Sequence, residues 1–229
     1  MLDAGFFDRD PCQVARDLLG ATLHRRLTPR SRWLRATIIE TEAYYRDEKA
    51  SHSSLGRTPS REPMWATPGT LYVYHSRAGD SLNVSAGGPG NAVLIKAALP
   101  PDDANVLAAM RRLNPPPGED DDTPPRARER LCAGQALLCR SLAIARETWS
   151  GQTFHPDAFY VSAAAPPRPP ALVTTRLGIR AERDAHLPYR FVHAEHGAYC
   201  SKNPLRRGVI EGRDYVWLDA GEAAPAPTH

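Results

Sequence analysis

The sequence is poor in lysine and has no long apolar run. Only Lys49, Lys96 and Lys202 are lysines, so the positive charge is almost entirely arginine. No stretch approaches the roughly eighteen apolar residues that a membrane-spanning helix needs, which excludes that class. The first residues, MLDAGFFDRDPCQVARDLLG, carry acids where a secretion signal carries bases followed by an apolar core, so a cytoplasmic protein is expected. Cys12, Cys132, Cys139 and Cys200 form no C-x-x-C pair, which removes zinc knuckles and redox dithiols and leaves reduced, structural thiols. The histidines form neither H-E-x-x-H nor H-x-E…C-x-x-C, so the common zinc hydrolases and zinc base deaminases are excluded as well. Neither a metal nor a cofactor is expected.

What is present is ordinary globular material. The chain has 229 residues, 41% hydrophobic and 24% charged, enough for one domain with a substantial core. The formal net charge is only +3, but its distribution is uneven. Arg25, Arg26, Arg30, Arg32 and Arg35 are clustered, while Glu119, Asp120, Asp121 and Asp122 share one proline-rich stretch. Without that stretch the body of the chain is clearly basic, which suits a polyanion partner. Arginine in place of lysine favours bidentate phosphate contacts, although a GC-rich genome produces the same bias.

Asp10-Pro11 reads as a helix cap followed by proline at the first helical position, with Gly20 as the stop and Val14, Ala15, Leu18 and Leu19 as the buried face. Residues 34–44 (LRATIIETEAY) alternate as a strand, as do 70–75 (TLYVYH), with a Gly79-Asp80 turn returning the chain through Asn83. Residues 92–98 make an apolar central strand whose single charge is Lys96. A short helix is predicted over 105–113 and a longer one over 126–145, with strands near 189–193 and 214–218. The fold class is α+β: one domain over 1–220, with a mobile acidic loop at 114–125 and a disordered tail at 221–229.

Several residues could carry chemistry. Alternation places Ile38, Glu40 and Glu42 on one strand face, with the two acids about 6.6 Å apart along the backbone. Such a pair would raise the pKa of one member and serve acid–base work; equally, glutamates decorate strand faces turned to water. Tyr44, Tyr72 and Tyr74 are either core packing or a stacking surface for a planar ligand. Asn83 and Lys96, polar within apolar strands, belong either to a site or to a satisfied buried network. His52, Arg57 and Arg61 lie in a polar loop that is either solvated or ligand-contacting.

Read together, FFDRDPCQVARDLLG near the start, IETEAY (39–44), ASHS (50–53), PGTLYVY (68–74), Asn83-Val84, AVLIKA (92–97) and LCAGQALLCRSLAI (131–144) stand in the order and at the intervals of a known family. Over roughly residues 6–203 the chain resembles the alkyladenine (3-methyladenine, methylpurine) DNA glycosylases. The resemblance implies a curved antiparallel sheet with surrounding helices, double-stranded DNA containing damaged purines as partner, and a monomer without cofactor, acting in the cytoplasm on nucleoid DNA. It implies that Glu42, rather than Glu40, activates the water that attacks C1′. It also implies that Tyr44 and Tyr74 sandwich the flipped base, and that His52, Asn83 and Leu177 shape the base pocket. Arg57, Arg77, Lys96 and Arg176 are the expected DNA contacts, Lys96 standing where the family carries arginine.

Two departures stand out. The family's loop between the two tyrosine-strand arms carries a leading tyrosine that wedges into the gap left by the flipped base; here HSRAGDSL has no aromatic, and Arg77 falls nearest that position. The family's GPSKL run is GQALL (134–138). With three lysines, a β-lyase amine nucleophile is not expected. Two other readings remain open: a lesion-recognising DNA-binding protein with weak or no excision, and an unrelated hydrolase using Glu40 and Glu42 as an acid pair.

Overall fold

A computed structural model describes residues 1–117 and 123–227. Five helices are described: α1 (Ala4–Phe7), α2 (Pro11–Asp17), α3 (Ala104–Leu113), α4 (Gln135–Ser141) and α5 (Arg146–Trp149). They surround one sheet built from β1 (Thr22–Arg25), β2 (Leu34–Tyr44), β3 (Leu71–Ser76), β4 (Gly79–Ser85), β5 (Ala92–Leu99), β6 (Phe159–Ser162), β7 (Ala171–Thr174), β8 (Arg190–His193) and β9 (Tyr215–Leu218). The strand order is β3-β4-β5-β2-β8-β7-β9, with β1 bridging β2 and β6, and every named pairing is antiparallel. This is the mixed α+β domain expected.

The long strand β2 organises the molecule. One side pairs with β5 over most of its length; the other pairs first with β1 and then with β8. Helix α2 starts as its chemistry dictates, with the Asp10 carboxylate accepting from the N–H groups of Cys12 and Gln13 and Pro11 at the first position. It ends before Gly20, whose positive φ of 81° turns the chain into β1. Its apolar face, Val14, Ala15, Leu18 and Leu19, packs fully buried in the main core.

Four expectations need correction. Ile38, Glu40 and Glu42 do not share a face, because the β2–β5 register shifts on both sides of Glu40. Ile38 joins the main core, while Ile39 packs in a second cluster on the opposite face. The β3–β4 turn is Arg77-Ala78, with Ser76 paired to Gly79, two residues earlier than the Gly79-Asp80 dipeptide suggests. The predicted helix over 126–145 is broken: Arg128–Arg130 is a single 3-10 turn, Gly134 has φ 134°, and only α4 is α-helical there. Its core residues Leu131, Leu138, Leu142 and Ile144 are nevertheless buried. Finally, β1, β6 and β7 were not foreseen; each has four residues and is defined by pairing across long sequence distances.

Of the acidic loop 114–125, residues 118–122 lie outside the described residues; at its start the buried Asn114 amide donates to Leu131 O and Ser141 Oγ, both at 3.1 Å. In the terminal stretch, Gly221 N–H donates to Arg168 O and Ala224 packs on the main core, while residues 228–229 lie outside the described residues. All four cysteines are free and buried. Burial pushes the thiols of Cys12 and Cys132 up to about 12, so they remain protonated core residues. No helix among the described residues is long and apolar enough to cross a membrane.

Candidate active site

A cavity of about 470 Å³ opens on the sheet face opposite the main core. Strand β2 contributes Tyr44, β3 contributes Tyr72 and Tyr74, β4 contributes Asn83, and β5 contributes Leu94 and Lys96. The wall is closed by His52 on a 3-10 turn capped by Ser51, by Gln135 at the start of α4, and by the segment from Leu177 to Arg183. The size and the mixed aromatic and polar lining fit a planar heterocycle.

Glu42 lies one layer beneath this cavity, fully buried, and the three residues that hold it all line the cavity. The Lys96 ammonium donates to Oε1 at 2.7 Å, the Leu177 N–H donates to the same oxygen at 3.1 Å, and the Tyr44 hydroxyl donates to Oε2 at 2.8 Å. Burial pushes the Glu42 carboxyl up, but the adjacent Lys96 charge and these three donors outweigh it and hold the group below the usual carboxylate range. Glu42 is therefore ionised at neutral pH. Two oxygens offer about four acceptor directions, and three are used. One direction on Oε2 is left for a further donor.

Glu40 has the opposite environment. Its Oε1 accepts from Arg190 Nε at 2.7 Å, and its Oε2 accepts from Ser201 N–H at 2.8 Å and Ser201 Oγ at 2.7 Å. It does not line the cavity and does not pair with Glu42, so the expected coupled carboxylate dyad is absent. Glu42 is tuned by a cation rather than by a second acid.

The aromatic residues converge. The His52 ring lies 4.4 Å from Tyr74, and Tyr72 lies 5.6 Å from Tyr74. His52 Nδ1 and Tyr72 OH are 3.0 Å apart. Burial, with Arg61 and Arg183 nearby, holds His52 below its ordinary value, so the imidazole is neutral at pH 7. Tyr44 is pushed well above 10 by burial and by the Glu42 charge, which keeps its hydroxyl a donor. The Asn83 amide donates to Tyr72 O at 3.1 Å, so its nitrogen is spent on the strand and its oxygen side remains for the cavity.

The expected DNA contacts divide. Arg57 is exposed, outside the cavity, and ion-paired with Glu62. Arg77 is exposed at the β3–β4 turn, whose Ala78 carbonyl accepts from Arg140. Lys96 lines the cavity, is 7% exposed and is ion-paired with Glu42. Arg176 is turned inward rather than standing on the open surface. It is 4% exposed, pairs through both terminal nitrogens with Glu48, and donates to Ala43 O. Its guanidinium lies 4.6 Å over the Tyr44 ring, on a side of that ring away from the cavity, since Arg176 does not line it. Arg176 thus props up Tyr44 while Leu177 beside it holds Glu42.

Sequence reasoning missed Met64, Gln135, Ile179, Arg180 and Arg183, which also line the cavity. Arg180 and Arg183 follow Leu177 so closely that contiguity was a usable signal; Met64 carried none. Among the described residues, one group has metal-ligand spacing: His193, Glu195 and His196, with donor atoms within 4.8 Å of one another. It lies outside the cavity, and its two imidazole centroids are 4.5 Å apart at a 36° tilt.

The family model for methylpurine-DNA glycosylase (MPG) matches residues 5–197. A protein of Pseudomonas savastanoi pv. phaseolicola named "Putative 3-methyladenine DNA glycosylase" is 49% identical over 222 residues, covering 94% of this chain and 96% of the relative. A Pseudomonas aeruginosa (strain PAO1) protein of the same name is 48% identical over 217 residues, covering 93% and 88%. One from Rhodopirellula baltica is 37% identical over 193 residues, covering 83% and 78%. The chain belongs to the methylpurine-DNA glycosylase family, a class of DNA glycosylases.

Proposed function

We propose that the protein is a monofunctional glycosylase that excises alkylated or deaminated purines, of the 3-methyladenine, 7-methylguanine, hypoxanthine and ethenoadenine class, from double-stranded DNA. The observation that carries this reading is an ionised carboxylate, Glu42, whose three donors all line an aromatic cavity. In the mechanism, the damaged nucleotide is flipped out and its base enters between Tyr44 and Tyr74. Cationic bases such as 3-methyladenine gain attraction to the tyrosine faces and are good leaving groups already. A water donates to Glu42 and attacks C1′; the carboxylate takes the water proton as the C1′–N bond breaks through an oxocarbenium-like state. His52 and Asn83 present polar groups to the base, and Leu177 packs against it. Lys96 is the one lysine on the cavity wall, and its ion pair with Glu42 fits an enzyme that leaves an intact abasic site. A monomer acting on nucleoid DNA in the cytoplasm is the simplest setting.

The test is base release from duplexes each carrying one of the four lesions, read as strand scission with and without alkali. Release with scission only after alkali is expected. Binding of lesion duplexes without release would favour a recognition protein on the same scaffold. Scission without alkali would overturn the monofunctional assignment.

A further inference from the structure

We propose that the loop from Lys202 to Arg207 is a DNA-backbone contact carried beside the pocket by Glu40. The proposal rests on the glycosylase reading for its partner, double-stranded DNA. Glu40 does not line the cavity, yet it is fully buried and takes three donors, from Arg190 and Ser201. Its acceptors hold Ser201 at both N–H and Oγ, and its partner Arg190 donates through Nη2 to Lys202 O at 2.7 Å. Cys200 Sγ lies 2.9 Å from Gly197 O and 3.0 Å from Lys202 O, within reach of either for its single S–H. Residues 197–202 are therefore lashed to the strand that carries Glu42, two positions away.

The lashing sets the face as well as the distance. Cys200 packs with Ile39, Ala97 and Leu99, on the opposite sheet face from the main core. Ser201 Oγ approaches within 3.9 Å of where a side chain on Gly134 would begin, and Gly134 precedes the cavity residue Gln135. Beyond this anchor, Pro204 is buried and Asn203 Oδ1 accepts from Leu205 N–H at 2.8 Å, giving the loop a defined shape. Lys202, Arg206 and Arg207 are exposed and, among the described residues, form no ion pair. Asp214, the acid that Arg206 influences, is held down first by Arg213 and then by the Ile210 N–H. Three uncommitted cations on an anchored loop, against a partner with closely spaced phosphates, make a backbone clamp. The loop lies past residue 197, where the family match ends.

The experiment uses the full chain and a fluorescent duplex containing hypoxanthine, with affinity measured against salt concentration. Replacing Lys202, Arg206 and Arg207 together by Ala is expected to lower the slope of log affinity against log salt by about two to three, since each phosphate contact contributes about 0.9. The control replaces Arg30, Arg32 and Arg35 by Ala; these are exposed at the far end of β2, so the charge change is equal and the place different. That control is expected to leave the slope unchanged. Equal slopes for wild type and the loop variant, in a variant of unchanged melting temperature, overturn the proposal. So does an equal fall in the control, which would make the effect one of net charge. A wild type that binds with the predicted slope but releases no base sinks the glycosylase reading and not this one.

Discussion

Two carboxylates stand two residues apart on one strand, both fully buried, and they do opposite things. Around Glu42, every partner is also a wall of the cavity. Around Glu40, Arg190 and Ser201 take the charge and the oxygens, and the network serves to fix a neighbouring loop. Burial and residue type are the same, so neither decides function. What differs is whether the surrounding donors face the cavity.

The comparison breaks first at Glu42. On the proposed mechanism Glu42→Gln removes the general base, and the single-turnover excision rate is expected to fall by about 10²- to 10⁴-fold. Glu40→Gln is expected to act on the fold instead. It leaves the Arg190 guanidinium buried without its counter-charge, a loss of about 3–5 kcal/mol in denaturant unfolding. Excision per folded molecule should fall less than tenfold. Equal rate losses in the two variants would instead make the pair a catalytic dyad.

Lys96→Met sharpens the contrast through pH. In the wild type Glu42 is held below the usual carboxylate range, so excision is lost on acidification only below that range. The same depression stabilises the fold above the unfolded carboxylate pKa, and that contribution is lost as pH falls through the folded value. Without the ammonium, burial dominates and raises the Glu42 pKa. The acid limb of the kcat/KM profile is therefore expected to move to higher pH; an unmoved limb would show that Lys96 does not set the ionisation.

Smaller effects are expected at the pocket's edges. Arg176→Lys keeps a charge near Glu48 but loses the planar fork and its stacking on Tyr44, and should raise KM severalfold with a lesser change in kcat. Reversal of that split would argue that Arg176 acts on Glu42 through Leu177 rather than on base stacking. Arg77→Ala tests the altered wedge position and should change excision by less than threefold. A loss above tenfold, with binding weakened in parallel, would make its guanidinium the element that fills the vacated stack.

Much of this was legible in residues that act locally. Asp10-Pro11 caps α2, and the strand predicted over 34–44 is β2 to the residue. The failures share one cause. The shift at Ile39 depends on where β5 lies, the burial of Arg176 depends on Glu48 reaching it from 128 positions away, and the use of Glu40 depends on Ser201, 161 positions away. Arginine reads as surface charge when its partner cannot be seen.

By itself, the sequence determined the secondary elements with strong caps or periods, the buried faces they present, and the family whose motifs it carries. Those depend on hydrogen bonds within a turn or on side-chain periods of two and 3.6. The tertiary structure alone decided which donors surround each glutamate, that Lys96 and Arg176 are buried in ion pairs, and that Ser201 is tied to the strand carrying Glu42. Electrostatic roles follow from distance and solvent exclusion, and both are set by chain segments that meet only when the sheet has formed.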